Sequence, residues 1–119
     1  MAEALHQGLL ISPDLQEVLG FYEIDSSAQE VLPFLIRHKT VTRALLAARP
    51  HLFRVFGTAR RALQVERDPE GGADELFCVI HSDEAPQTVL DQLSRFDDSW
   101  LRQAPPSVRR YLNFTVDPV

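Results

Sequence analysis

The chain has 119 residues, of which 45% are hydrophobic and 24% are charged. This composition is typical of one globular domain and argues against wholesale disorder, collagen-like repeats and a membrane span. A chain of this length buries roughly two-thirds of the surface that its unfolded form exposes, so one core suffices without a metal or a disulfide. The single cysteine has no partner within the chain and no secretory signal is visible, which together predict a cytoplasmic protein.

The net charge of -5 hides three blocks of different sign. Residues 1–36 carry six acids and no Lys or Arg, residues 37–61 carry seven bases and no acid, and the remainder carries eleven acids and five bases. Clustered arginines can neutralise phosphates, so the basic segment is a candidate for binding anions or nucleic acids. The candidate residues are Arg43, Arg54, Arg60 and Arg61. Alternatively, the acidic blocks lie within a Debye length, ~8 Å, of these arginines and cancel their field.

Two helix starts are visible near the N-terminus. Ser12 can cap a helix in which Pro13 takes the first position, where the missing proline amide costs nothing. Ser27 and Glu30 have the spacing of a capping box, followed by apolar residues at helical steps. The sequence therefore predicts two short amphipathic helices before residue 37.

A third predicted helix starts with Thr40 as its cap and ends at Gly57, because apolar residues recur at three- and four-residue steps between them. Two prolines interrupt the helical patterns. Pro33 in the second helix and Pro50 in the third each remove a backbone hydrogen bond, so we expect a kink or a restart at both positions. Arg54 lies opposite the apolar stripe of the third helix and is expected to face solvent.

After Gly57 the period of the apolar residues changes from about 3.6 to about 2, which is typical of strands. Residues 63–66 and the apolar run 76–80 form a predicted hairpin around the acidic turn 68–74. The first of these strands is expected at an edge and the second in the middle of the sheet. A last strand, 111–117, is expected to return parallel to the second through a right-handed crossover, beside either of the other two.

The crossover is a predicted helix that begins with Ser82 or Asp83 as its cap and has Pro86 in its first turn. Its apolar stripe consists of Val89, Leu93, Phe96 and Trp100, with Leu90 and Leu101 alongside. We expect this stripe to lie against the strands as a lid.

These elements predict an α+β fold in one domain, residues 1–119. A helical part, residues 1–57, precedes a strand-strand-helix-strand unit, residues 62–119. The sheet is predicted to be three-stranded, mixed or antiparallel, with helices packed on it.

The sheet unit resembles a group of small bacterial α+β proteins that have no established activity. The resemblance lies in residues 63–70, 76–81 and 90–101, where a Leu-rich helix ends in Phe-Asp followed by one or two Trp residues. This chain has Ser99 and Trp100 where two adjacent Trp residues are common in the group. The resemblance covers about half of the chain, and it implies no catalytic or binding residue.

No catalytic or metal-binding pattern is predicted, and no cofactor is expected. Cys78 has no partner cysteine, and the four histidines lack the close helical spacing that places two imidazoles on one ion. His81, Ser82 and Asp83 have the letters of a catalytic triad, but consecutive strand residues point in opposite directions. Helix capping is the more economical role for the last two.

Three functions remain open on the sequence. We prefer a non-enzymatic protein that associates with itself or with another bacterial protein, because a three-stranded sheet leaves two edges for pairing. The first alternative is anion or nucleic-acid binding through residues 37–61. The second is a small enzyme whose acids and histidines converge only in the folded chain. No membrane partner is expected.

Overall fold

The computed structural model describes residues 12–24 and 28–118 of the chain. These residues form an α+β fold, as predicted. In chain order its elements are α1 (Pro13–Phe21), β1 (Glu23–Ile24), α2 (Ala28–Arg37), α3 (Lys39–Phe56), β2 (Arg60–Glu66), β3 (Glu75–Ser82), α4 (Pro86–Ser99), a 3₁₀ turn (Leu101–Gln103), α5 (Pro106–Arg109) and β4 (Leu112–Pro118).

The sheet is mixed, with the strand order β1-β2-β3-β4. β2 and β3 form the predicted antiparallel hairpin, and β4 lies beside β3 and parallel to it. The prediction of three strands is wrong, because β1 adds a fourth strand inside the segment expected to be helical. It pairs in parallel with Ala62 and Leu63, so β2 is not an edge strand along that stretch. A strand of two residues is too short to show an alternating pattern.

The N-terminal helices are only partly as expected. The Ser12 hydroxyl accepts the amide of Leu15 (3.1 Å) and caps α1 as predicted, whereas Ser27 lies outside the described residues. Of the kink or restart expected at Pro33 and Pro50, the restart is wrong, since α2 and α3 each continue through their proline as one helix. Both prolines are exposed. At Pro50, the carbonyl group of Leu46, which loses its helical partner, accepts a hydrogen bond from Nε of Arg49 (3.1 Å).

The start of α3 also differs from the prediction. Its first residue is Lys39, and His38 takes the cap position without a capping side-chain hydrogen bond. The Thr42 hydroxyl donates to the carbonyl oxygens of Leu35 (2.8 Å) and His38 (3.3 Å), which ties the first turn of α3 to the end of α2. The two helices are therefore joined at His38 with no loop between them.

The core lies between the helices and one face of the sheet. The sheet contributes alternate residues, which are Leu63, Leu76, Cys78, Ile80 and Leu112. The helices contribute Phe34, Leu35, Leu45, Leu52 and Phe96, all almost completely buried. The burial of these side chains supplies the main driving force for folding.

The predicted lid is confirmed at Phe96, which is 1% exposed and packs its ring edge-on against Phe114 of β4. The prediction that Ser82 or Asp83 caps this helix is wrong, because the cap residue is Ala85. Ser82 belongs to β3, and its hydroxyl accepts the amide of Glu84 (3.1 Å). Strand pairing continues through Ser82, so the chain leaves the sheet before α4 begins.

In the described residues, the helices are all too short or too polar to cross a lipid bilayer.

Candidate functional site

Two of the four candidate arginines are paired with acids of the N-terminal block. The Nε atom of Arg60 lies 2.9 Å from Oε1 of Glu23, and that of Arg43 lies 3.8 Å from Oδ2 of Asp14. Both members of each ion pair are largely exposed, so each pair adds little to the free energy of unfolding. The pairs nevertheless place a negative charge beside each guanidinium, which lowers its attraction for an external anion.

Arg61 serves the backbone of its own chain. Its Nε and Nη2 atoms donate to the carbonyl oxygen of Phe21 (3.3 and 3.2 Å), and Nη1 donates to the carbonyl oxygens of Ala59 (3.0 Å) and Gly57 (3.5 Å). The guanidinium carbon also lies 3.9 Å from the centre of the Phe21 ring. A cation that bonds the last carbonyl groups of α1 stabilises the C-terminus of that helix. The role of Arg61 is therefore to hold α1 against the start of β2.

The structure does not bring the four arginines together. Arg54 is exposed on α3 and has no ion pair among the described residues. It lies eleven residues beyond Arg43, a separation of about 16 Å along the helix axis. Arg60 and Arg61 are bonded to Glu23 and to backbone carbonyl groups, which leaves Arg54 as the one arginine of the four without a bonded partner among the described residues.

A shallow cleft of about 370 Å³ contains the residues that resemble a triad. Its polar lining comes from Thr58, His81, Ser82, Asp83, Glu84 and Gln92. Ser82 uses its hydroxyl to accept a backbone amide, and no hydrogen bond among the described residues joins it to the His81 ring. A nucleophile needs such a base within hydrogen-bond reach, so this cleft lacks an activated hydroxyl.

The Cys78 thiol and the Tyr22 hydroxyl are buried in the core. Burial raises the pKa of the Cys78 thiol to about 12, which keeps it protonated and unreactive at neutral pH. Burial also raises the pKa of Tyr22, whose hydroxyl donates to the carbonyl oxygen of Leu45. Residues 12–24 and 28–118 contain no group of three or more His, Cys, Asp or Glu residues placed to hold a metal ion.

The outer edge of β4 is open among the described residues. β4 pairs with β3 on its inner side at seven consecutive positions, and no described strand pairs with its other side. The Leu76 amide donates to the carbonyl oxygen of Tyr111 (2.7 Å), so the backbone groups of Tyr111 face β3. Because these groups alternate in direction along a strand, those of Leu112, Phe114 and Val116 face outward.

This edge lacks the features that usually protect an edge strand. Residues 112–118 contain no Lys or Arg, their only charged residue is Asp117, and no bulge interrupts their pairing with β3. The single proline, Pro118, is the last residue of the strand. Natural edge strands are commonly blocked by inward charges, bulges or central prolines, so β4 is open to pairing with another strand.

An apolar groove of about 270 Å³ runs beside the same edge. Its apolar walls are Pro86, Val89 and Leu90 of α4 and Val116 and Pro118 of β4. Leu90 is 60% exposed, the highest value among the large exposed apolar side chains of the described residues. Its helical spacing places Leu90 alongside the apolar stripe of α4, and the groove leaves that side of the helix open.

In comparisons with protein families, with curated proteins and with solved structures, no match to this chain is found. The resemblance of residues 63–70, 76–81 and 90–101 to a group of bacterial proteins therefore stays a prediction.

Proposed function

We propose that this protein is not an enzyme and acts by associating with another polypeptide along the outer edge of β4. The observation that carries the proposal is a regular edge strand to which no other described segment pairs, beside an apolar groove that exposes Leu90. An extended segment that adds to such an edge forms main-chain hydrogen bonds, and side-chain pockets beside the edge select its sequence.

The β4 edge suits association better than the opposite edge of the sheet. At that edge β1 already pairs with Ala62 and Leu63 of β2. The ion pair between Arg60 and Glu23 flanks this short pairing. Charged side chains beside an edge disfavour the addition of a further strand, and the groove beside the β4 edge is lined mainly by apolar side chains, with Glu84 as its one charged residue.

The alternatives have less support. Of the arginines proposed to bind anions, Arg43 and Arg60 are ion-paired and Arg61 bonds backbone carbonyl groups. The enzyme alternative has a cleft at His81 but no activated nucleophile in it. The proposal keeps the cytoplasmic location predicted by the sequence, supported by the one buried, unpaired cysteine.

A synthetic strand tests the proposal directly. The probe is an acetylated and amidated heptapeptide that alternates Thr and Val, titrated into the ¹⁵N-labelled protein and followed by amide chemical shifts. We expect the largest shifts at the outward amides of Leu112, Phe114 and Val116, with smaller shifts at Tyr111 and Asn113, whose backbone groups face β3.

Two matched substitutions on exposed apolar residues serve as controls. Leu90→Asp places a charge in the groove and should weaken peptide binding by about tenfold or more. Phe53→Asp changes a side chain of similar exposure on α3, away from the groove, and should leave binding unchanged. Shifts spread evenly over the protein, or equal effects of both variants, would refute the assignment of β4 as the association edge.

A further inference from the structure

We infer that the strand that occupies the β4 edge is β4 of a second copy, paired antiparallel about a two-fold axis through Thr115. This inference rests on the proposed function, because it names the partner of the same edge. Thr115 is the midpoint of Leu112–Pro118, so only this register pairs all seven residues of one strand with all seven of the other. The two sheets would then form one continuous sheet of eight strands.

The backbone of β4 fits this register. Phe114 and Val116 face outward, so each would exchange two hydrogen bonds with the other residue of the pair in the second copy. The amide of Leu112 would reach the carbonyl oxygen of the partner's Pro118. All three outward amides of β4 would thus have acceptors. Proline, which has no amide, would stand at the two ends of the pairing, where at most one bond per end is lost.

The exposed face of β4 is complementary to itself in the same register. Asn113 would lie opposite the partner's Asp117, and Thr115 opposite the partner's Thr115. The side-chain amide of Asn113 donates to Glu75, but it carries two N–H groups, so one is available for a carboxylate. The two Asp117 residues would be offset by four residues along the strands, a separation of about 14 Å. Because this separation exceeds the Debye length of ~8 Å, their mutual repulsion would be weak.

The helix-covered face is complementary as well. Phe114 would lie opposite the partner's Val116, and pairs of aromatic and β-branched side chains are favourable across strands. α4 lies under β4, with Phe96 against Phe114 and Val89 beside Val116. The two-fold axis would therefore bring the two α4 helices side by side, which would cover Leu90 in both copies.

Cross-linking at the two-fold axis tests the register. Opposed residues that do not share hydrogen bonds have Cα atoms about 4.5 Å apart, within the range of a disulfide. Thr115→Cys should therefore give a covalent dimer when diamide takes up the two electrons and two protons of the thiols. The native Cys78 is buried and its pKa is raised, so it stays out of the reaction.

A matched pair of variants separates this register from random collision. Asn113→Cys alone should cross-link at least about tenfold more slowly than Thr115→Cys, because the two substituted positions would lie about 14 Å apart. An equimolar mixture of Asn113→Cys and Asp117→Cys should cross-link as fast as Thr115→Cys, since those positions face each other. Equal rates for all single variants would overturn the register.

Sedimentation of the unmodified protein distinguishes this inference from the proposed function. A dimer at concentrations of tens of micromolar, dissociated by Leu90→Asp and not by Phe53→Asp, supports both. A monomer at several hundred micromolar that still binds the Thr-Val peptide overturns the second copy as partner and leaves strand addition standing. A monomer that does not bind the peptide overturns both.

Discussion

Replacement of Phe96 with alanine tests whether α4 closes the core. The Phe96 side chain is 1% exposed. Its ring centre lies 4.7 Å from that of Phe114, 5.7 Å from that of Trp100 and 6.2 Å from that of Phe56. The ring thus joins α4 to β4 and α3, and its loss would leave a cavity where these three elements meet.

The expected cost is large because both packing and aromatic contacts are lost. A buried Phe→Ala change lowers the free energy of unfolding by about 3–5 kcal/mol, and the lost ring pairs favour the upper half of that range. A domain of 119 residues has a free energy of unfolding of about 6–18 kcal/mol. With a shift of about 3–6 °C per kcal/mol at this size, a loss of about 4–5 kcal/mol should lower the Tm of Phe96→Ala by about 12–30 °C.

Urea unfolding followed by circular dichroism and by the fluorescence of Trp100, the only tryptophan, measures the change. Phe53→Ala removes the same atoms from a side chain that is 58% exposed, so it should alter the free energy of unfolding by no more than about 0.5 kcal/mol. A loss below about 1 kcal/mol for Phe96→Ala, or equal losses for the two variants, would refute the placement of α4 over the core.

Three further predictions concern side chains whose roles the structure defines. Arg61→Lys keeps the charge but loses the planar guanidinium, so the free energy of unfolding should fall by about 1–3 kcal/mol in urea titrations, whereas Arg54→Lys should leave it unchanged. Equal urea midpoints for the two variants would contradict the role of Arg61 in binding carbonyl groups. Because burial raises the pKa of Cys78 to about 12, a maleimide at pH 7 should label it only at the rate of unfolding, and rapid labelling of the native protein would be inconsistent with its position. Burial and the nearby Arg37 lower the pKa of His38 below its usual value near 6.5, so the unfolded state binds the proton of this side chain first and the free energy of unfolding should decrease as the pH falls below about 6.5. His38→Gln should remove that part of the decrease in melting curves recorded as a function of pH, and an unchanged slope would argue against this role.

Local chemistry made some elements predictable. Ser12 and Pro13 mark the start of α1 because a capping hydroxyl and a missing amide act within one turn. The turn-forming residues 68–74 between two apolar runs predict the hairpin, because turn signals also act between residues close along the chain. The same kind of signal predicts a kink or a restart at Pro33 and Pro50, but both prolines lie on exposed helix faces and neither helix restarts there.

The candidate site was less predictable. The block of positive charge is plain in the sequence, but Arg43, Arg60 and Arg61 each bond a group remote along the chain. These groups are Asp14, Glu23 and the Phe21 carbonyl group. Helical spacing places Leu90 alongside the apolar stripe of α4, but it does not predict whether the side chain is covered. Helical spacing describes one element and does not show how far a neighbouring strand extends beneath it.

The amino-acid sequence by itself determined the α+β class, the hairpin, the parallel return of the last strand and the apolar lid with Phe96 at its centre. Their signals lie in residues close along the chain, where hydrophobic periodicity and turn chemistry act. Only the tertiary structure decided that β1 joins the sheet, that β4 is the outermost of the described strands beside β3, and that no described segment covers the groove next to Leu90. Strand order and edge exposure depend on contacts between distant segments, and a pattern of burial along one strand is the same whichever strand lies beside it.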